Sequence, residues 1–188
     1  MKLLFLILLH FCTLAATPPA ATSYLVNLEA SRISWTGYAE VGTYAPTGSI
    51  QFQRGRFNYD GSSLRNGRFE VDMRTIRQEQ AQLAEHLRGP EFFDVEKYPV
   101  AVFVLSEVRQ GVASGQLTVR GVTQPVRFPL TVERQANGRL RIQGTATLDR
   151  TKFGINHNSS SFFQNLGSYA IRNDFKLTFD VVAEAERQ

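Results

Sequence analysis

Alternation of apolar and polar residues with a period of two runs through most of the chain after Tyr24, and it limits the fold more than any other feature. Residues 126–133, 140–148 and 175–181 all show this alternation. Such strands bury one face and expose the other, as in an antiparallel sheet. About eight strand candidates follow one another with short links, which suits a barrel because a closed sheet has no exposed edge. The sequence therefore predicts an all-β fold, an antiparallel up-and-down β-barrel of about eight strands.

Turn dipeptides separate several of these strand candidates. Asn137-Gly138 lies between two alternating runs and is the strongest signal for a two-residue hairpin loop. Asp60-Gly61 and Asn66-Gly67 mark further turns, near strands that we predict at 49–59 and 67–73.

One segment breaks the two-residue period and predicts a single amphipathic helix. Residues 75–78 have the form of a capping box, with Thr75 as the N-cap. Gly89 followed by Pro90 ends the helix. Its apolar face consists of four residues: Ile76, Leu83, Ala84 and Leu87. We expect this face to belong to the core and the helix to pack over one end or one gap of the barrel.

The N-terminus has the layout of a secretory signal peptide. Lys2 is followed by a mostly apolar run that ends in small residues at 13–15. This run is too short to span a bilayer and His10 interrupts it, so we expect no transmembrane anchor. The sequence predicts a signal peptide over 1–15, a disordered leader over 16–23, one domain over 24–188, and a periplasmic or secreted protein.

Cysteine count and charge exclude several classes of protein. Cys12 is the only cysteine and lies within the predicted signal peptide, so disulfides, thiolate catalysis and cysteine-based metal sites are excluded from the mature chain. The net charge is +4, but the basic residues are scattered through the sequence. A solvated mixed surface is therefore expected, and nucleic acid is not an expected partner.

No set of side chains has the spacing of a catalytic or metal site. The plausible acid–base groups are His86, Asp94, Glu96, Asp149 and His157. His86 is expected on the polar side of the helix, and no Ser or Cys motif surrounds His157. Zinc would need three or four converging ligands, and the sequence has no His-x-x-x-His spacing. We therefore predict no enzyme activity, no catalytic residues, no metal and no cofactor.

Six motifs follow one another along the chain: SRISWTG at 31–37, TGSIQF at 47–52, NGRFEVDM at 66–73, EFFDVEKYP at 91–99, LTVRGVTQPV at 117–126 and ATLDRTKFGI at 146–155. In this order they resemble the YceI family of lipocalin-like barrels. The segment from 161 to 171 resembles a branch of that family with a Phe-Phe-x-Asn-Leu-Gly sequence.

This resemblance implies a protein that binds an isoprenoid lipid, such as a quinone or a polyprenyl compound, in an apolar tunnel. We expect the tunnel to form where the large Phe103, Phe128 and Phe175 face the small Gly144 and Ala146. By position in the family, the tunnel residues are Phe69, Val71, Phe103, Val119, Phe128, Leu130, Ile142 and Phe175.

Alternatives to a lipid carrier remain open at this point. Arg120, Asp149 and Arg150 lie near strand ends, where they could meet a polar headgroup or pair with one another. The barrel could also be fully packed, with its loops serving a stress-protective or protein-interaction role. Hydrolysis or isomerisation of a bound lipid is a third hypothesis, and a homodimer is possible.

Overall fold

The computed structural model describes residues 21–186, and within that range the chain forms nine strands, one α-helix and two short 3-10 helices. The helix is α1 (Ala81–Arg88), and the 3-10 helices are Arg150–Phe153 and Gly167–Tyr169. The strands are β1 (Thr22–Val26), β2 (Arg32–Thr36), β3 (Thr47–Tyr59), β4 (Leu64–Arg77), β5 (Val100–Arg109), β6 (Val112–Val119), β7 (Val122–Arg134), β8 (Leu140–Asp149) and β9 (Asp174–Ala185).

The nine strands close into an antiparallel barrel with eight strand positions. β1 and β2 together occupy one position, between β3 and β9. β1 pairs with the end of β3 and the end of β9, whereas β2 pairs with earlier parts of β9 and with the beginning of β3. From β3 to β9, neighbouring strands are consecutive in sequence. The predicted up-and-down barrel with one helix is confirmed.

The hairpin predicted at Asn137-Gly138 is present, but its loop holds three residues. The N–H of Gln135 donates to the carbonyl of Arg139 at 2.9 Å, which encloses residues 136–138. Gly138 has a φ of 81°, a left-handed conformation that glycine adopts without a steric penalty. The predicted position of the turn is therefore correct, and the predicted loop length is wrong.

The helix begins later than the sequence predicts, because strand β4 continues through the proposed capping box. Thr75 lies in β4, where its hydroxyl donates to the carbonyl of Asp72 at 2.6 Å and accepts the N–H of Gln51 at 2.9 Å. The observed N-cap is Gln80, which makes no side-chain capping hydrogen bond. Ile76 is buried as a strand residue, so the predicted helical face keeps only its other three members.

The N-terminal predictions fall mostly outside the described residues. The proposed signal peptide and residues 16–20 of the proposed leader are not described, and β1 begins at Thr22, inside the range predicted as leader. Among residues 21–186, no helix has the length and apolar composition needed to cross a membrane.

The barrel interior divides into two apolar clusters, and a row of aromatic rings fills the half farther from α1. Tyr24 stacks on Phe57 with ring centroids 5.6 Å apart, and Phe57 stacks on Phe69 at 6.0 Å. The row continues from Phe69 through Phe103 and Phe128 to Phe179, with successive centroids 6.2, 5.2 and 5.5 Å apart. Phe103, Phe128 and Phe179 contact both clusters, so they form a floor between the two halves.

Glycines in the strands make room for these rings. A Cβ at Gly115 would lie 2.6 Å from the ring of Phe103, and one at Gly144 would lie 2.4 Å from the ring of Phe179. The space that Gly144 was expected to leave for a ligand is therefore filled by Phe179. Ala146 is buried at 4% exposure in the cluster nearer to α1.

Replacing Gly144 with alanine should destabilise the fold. The new methyl group would also lie 2.6 Å from the carbonyl oxygen of Pro129, which is backbone and cannot rotate away. We expect a loss of about 1–3 kcal/mol in the free energy of unfolding, as for other overpacked cores. Gly37→Ala is the control, because nothing lies within 4 Å of its Cβ position. Chemical denaturation of both variants measures the difference, and equal stabilities would contradict the packing described here.

Candidate functional site

An apolar cavity of about 300 Å³ occupies the end of the barrel nearer to α1. Its walls are inward-facing side chains of the strands, and the charged side chains that line it, Arg150, Arg172 and Asp174, come from the segment that runs from 150 to 174. The apolar strand residues that line it are Ile33, Trp35, Ile50, Val71, Met73, Ile76, Ala101, Leu117, Val119, Leu148, Phe175 and Leu177.

The helix and the segment after it cover this cavity. Leu83 and Leu87, one helical turn apart in α1, both line it, as do Phe92 and Phe93. The chain turns back at the predicted helix end, Gly89, whose carbonyl accepts the N–H of Phe92 at 3.1 Å. The predicted apolar face of the helix thus lies over the cavity, and Phe92 is buried at 5% exposure.

Two loops form the mouth of the cavity: residues 37–46, which link β2 to β3, and residues 154–173, which precede β9. The N–H of Glu40 donates to the carbonyl of Ala170 at 2.9 Å, which joins the two mouth loops. Tyr44 and Tyr169 line the cavity yet are 57% and 76% exposed, so the opening lies between these loops.

Large apolar side chains of these two mouth loops project into solvent. Phe162 and Phe163 are 56% and 50% exposed, and Val41 is 65% exposed. Together with Tyr44 and Tyr169 they form an aromatic rim on the two mouth loops. Such a concentration of exposed apolar side chains is typical of a surface that contacts a lipid or a partner.

Arg150 is the buried charge beside the cavity, at 4% exposure, and it lines the cavity wall. Its guanidinium donates to the carbonyls of Arg172, Ile155 and Ile171 at 3.0, 2.8 and 2.9 Å. These bonds hold both ends of one mouth loop. Burial lowers the pKa of the guanidinium, and the negative charge of Asp149 acts in the opposite direction.

Arg120, Asp149 and Arg150 were expected either to pair with one another or to meet a polar headgroup. Among the described residues, no ion pair joins any two of them. Asp149 accepts hydrogen bonds from the backbone N–H and hydroxyl of Thr151. Arg120 donates to the carbonyls of Gly154 and Pro90. Arg150 alone of the three lines the cavity, so it alone is placed to meet a polar headgroup there.

All eight predicted tunnel residues belong to the interior clusters, but they divide between the two halves of the barrel. Val71, Val119 and Phe175 line the cavity. The other five do not line it, and they lie at the aromatic floor or beyond it: Phe69, Phe103, Phe128, Leu130 and Ile142. Contact between any of the eight and a lipid stays a prediction.

Sequence reasoning missed much of the cavity lining, both on the strands and outside them. Of the twelve lining strand residues named above, only three were among the predicted tunnel residues. Leu83, Leu87, Phe92 and Phe93 come from the helix and the turn after it, and the tyrosines come from the mouth loops. The spacing of Leu83 and Leu87 predicted a buried face, but the sequence had no signal for which surface that face would cover.

Two of the candidate acid–base residues meet in space, together with a glutamate that the sequence analysis did not select. His86 and His157 have ring centroids 4.9 Å apart, and Glu91 lies beside both. Burial lowers the pKa of His157, with Glu91 acting in the opposite direction. Asp94, Glu96 and Asp149 are not part of this cluster.

The arrangement as a whole defines a closed, lipocalin-like β-barrel with an apolar cavity open at one end. The family model described as the YceI-like domain matches residues 24–183. The chain belongs to this family.

Known relatives agree with this assignment. A UPF0312 protein of Pseudomonas putida is 28% identical over 160 residues, which cover 76% of this chain and 81% of that protein. The crystal structure of BcnA from Burkholderia cenocepacia matches with a TM-score of 0.68 and 21% identity, over 85% of this chain and 99% of that one. A polyisoprenoid binding domain from Saccharophagus degradans, implicated in plant cell wall breakdown, matches with a TM-score of 0.67 and 14% identity, over 88% and 99% of the two chains.

Replacing Arg150 with methionine should loosen the mouth of the cavity. Three carbonyls would lose their donor, and an unsatisfied buried polar group costs about 1–3 kcal/mol. Only the bond to Ile155 is fully buried, so we expect a loss of about 1–3 kcal/mol in the free energy of unfolding. Arg127→Met, at an exposed position of β7, is the control and should change stability by less than about 0.5 kcal/mol. Denaturant unfolding of both variants makes the comparison, and a fully stable Arg150→Met protein would show that these hydrogen bonds are dispensable.

Proposed function

We propose that this protein is an exported, non-catalytic carrier that takes one end of an isoprenoid lipid into the apolar cavity of its barrel. The observation that carries the proposal is the cavity itself, which is lined by apolar side chains, closed below by aromatic rings and open between two loops. Such a site offers burial of apolar surface and no reactive group along its walls.

The size of the cavity limits how the lipid binds. A volume of about 300 Å³ is at the lower end of the range for ligand pockets. The aromatic floor sets its depth, so one end of a long prenyl chain fills the cavity and the remainder lies along the aromatic rim. Apolar area removed from water contributes about 25 cal/mol per Å², which offsets the cost of ordering a flexible chain.

An isoprenoid is the lipid class with the most support. A structural neighbour with the same barrel, from Saccharophagus degradans, is described as a polyisoprenoid binding domain. The cavity suits a branched apolar chain because its lining combines flat aromatic rings with aliphatic side chains.

A polar headgroup has a place at the mouth. Arg150 uses three of its N–H groups on backbone carbonyls, and a guanidinium has five. Arg172 and Ser168 also line this part of the cavity. A hydrogen-bond acceptor on the lipid, either a quinone carbonyl or a phosphate oxygen, would lie here.

Export to the periplasm or beyond belongs to the same proposal, supported by the signal-like pattern of residues 1–15. We expect the mature protein to begin at or shortly after Ala16. N-terminal sequencing of protein recovered from the cell envelope makes the test, and an intact Met1 in the cytosolic fraction would contradict it.

A plug in the cavity should weaken lipid binding without unfolding the protein. Ala101 lines the cavity from β5, so Ala101→Phe would place a ring in the space the lipid would fill. Val104 lies on the same strand and is 41% exposed, so Val104→Phe adds a ring outside the barrel and is the matched control. We expect lipid to co-purify with the parent and with Val104→Phe. Ala101→Phe should carry at least about tenfold less lipid, which corresponds to a loss of about 1.4 kcal/mol in binding free energy.

The readouts are lipid extraction followed by mass spectrometry and a thermal melt of each variant. A folded Ala101→Phe protein that keeps the same lipid would place the ligand elsewhere. A parent protein that carries no lipid and binds none from vesicles would favour the alternative, a module that works through its loops. Chemical turnover of the bound lipid would favour the enzyme hypothesis.

A further inference from the structure

His86, Glu91 and His157 converge on one point outside the cavity wall, although they are far apart in sequence. The ligand-type atoms of the three side chains all lie within 4.8 Å of one another. Glu91 Oε2 is 3.5 Å from Nδ1 of His157 and 3.9 Å from Nδ1 of His86.

These separations are close to those of a metal site. Bonds of about 2.0–2.2 Å from Zn²⁺ to nitrogen and oxygen place tetrahedral ligand atoms roughly 3.3–3.6 Å apart. The separation between Glu91 and His157 is already in that range, and the one between Glu91 and His86 needs a change of a few tenths of an ångström. The side chain of Glu91 is 61% exposed, so it can rotate to supply that change. The ligand nitrogens of the two imidazoles lie within 4.8 Å of each other and must also move closer to bind one ion.

The surrounding fold holds both imidazoles in place. Phe92, which lines the cavity, has its ring centroid 5.1 Å from that of His86 and 5.2 Å from that of His157. The side chain of His157 is only 23% exposed, which restricts its rotamers further.

Arg120 joins the segment that carries Glu91 to the loop that carries His157. Its guanidinium donates to the carbonyl of Pro90, next to Glu91, at 2.7 Å, and to the carbonyl of Gly154, on the loop of His157, at 3.0 Å. The relative position of Glu91 and His157 is thus maintained by a contact that does not involve either side chain.

We propose that His86, Glu91 and His157 bind one Zn²⁺ ion, with the fourth tetrahedral position open to water. Two imidazole nitrogens and one carboxylate suit zinc, whereas Ca²⁺ and Mg²⁺ prefer sites made entirely of oxygen ligands. The ion would connect the end of α1 to the mouth loop 154–173. It would thereby hold the cover of the cavity closed, an effect that does not depend on which lipid the cavity takes.

The test titrates metal-free whole chain carrying His10→Gln and Cys12→Ser, which leaves two histidines, His86 and His157, and no cysteine. We expect this parent to bind one equivalent of Zn²⁺ by calorimetry and Co²⁺ with a tetrahedral absorption spectrum. His86→Ala and His157→Ala should each lower the affinity at least about 100-fold, because loss of even an outer-shell partner costs 10- to 100-fold.

Glu91→Gln tests the site without disturbing buried structure, because Glu91 is exposed. It should lower Zn²⁺ affinity at least about tenfold and leave the melting temperature of the metal-free protein unchanged. Glu85→Gln removes the same charge next to His86 in sequence and is the matched control, with unchanged affinity. Zn²⁺ should raise the melting temperature of the parent and of Glu85→Gln, since it binds the folded state.

Two outcomes would overturn the proposal. The first is a parent that binds no Zn²⁺. The second is a Zn²⁺ affinity that is the same in the parent and in Glu91→Gln and His86→Ala, both shown to be folded by their melts.

Discussion

The unequal filling of the barrel interior is the constraint on which the rest of this structure depends. An eight-stranded barrel is just wide enough to be filled by side chains or to hold one small ligand, and this chain does both, in different halves. Rings from Tyr24 to Phe179 fill one half, where glycines on the neighbouring strands let the rings approach the backbone. Because these rings cannot be compressed, the other half keeps the free volume, and its floor is fixed.

A barrel with an empty half needs a cover, and here the cover is made of irregular chain. The turn after α1 and the loop before β9 expose backbone carbonyls that no strand can pair with. Two arginines supply the missing donors: Arg150 binds three carbonyls of the loop and its surroundings, and Arg120 binds one carbonyl on each segment. The cover is thus held by charged donors at fixed positions, and the same contacts bring His157 to His86 and Glu91.

The separation of apolar walls from polar groups at the opening is the reason for which we propose a carrier. The walls offer apolar surface, and the polar groups that reach the cavity are near the opening, where a headgroup would remain. The exposed aromatic rim continues the apolar surface outward, which gives a long chain somewhere to lie. The family assignment and the structural neighbours agree with the barrel fold that this arrangement requires.

Part of the fold follows from local sequence, and part of it does not. The alternation in β7, β8 and β9 correctly predicts strands, their inward faces and the closed barrel. Successive side chains of a strand point to opposite faces of the sheet, so a period of two identifies the buried face. The helix end at Gly89 is also local and was predicted correctly. Thr75 was assigned wrongly because its hydroxyl bonds across to β3, a contact that a sequence window around the helix does not contain.

What the sequence by itself determined is which side chains face inward, since all eight predicted tunnel residues do so. Only the tertiary structure decided which of them border free space. That depends on how Phe179 lies over Gly144, and on where the helix and mouth loops close the barrel. The convergence of His86, Glu91 and His157 was decided in the same way, because cavities and ligand clusters are properties of contacts between distant segments, and periodicity describes only neighbours along the chain.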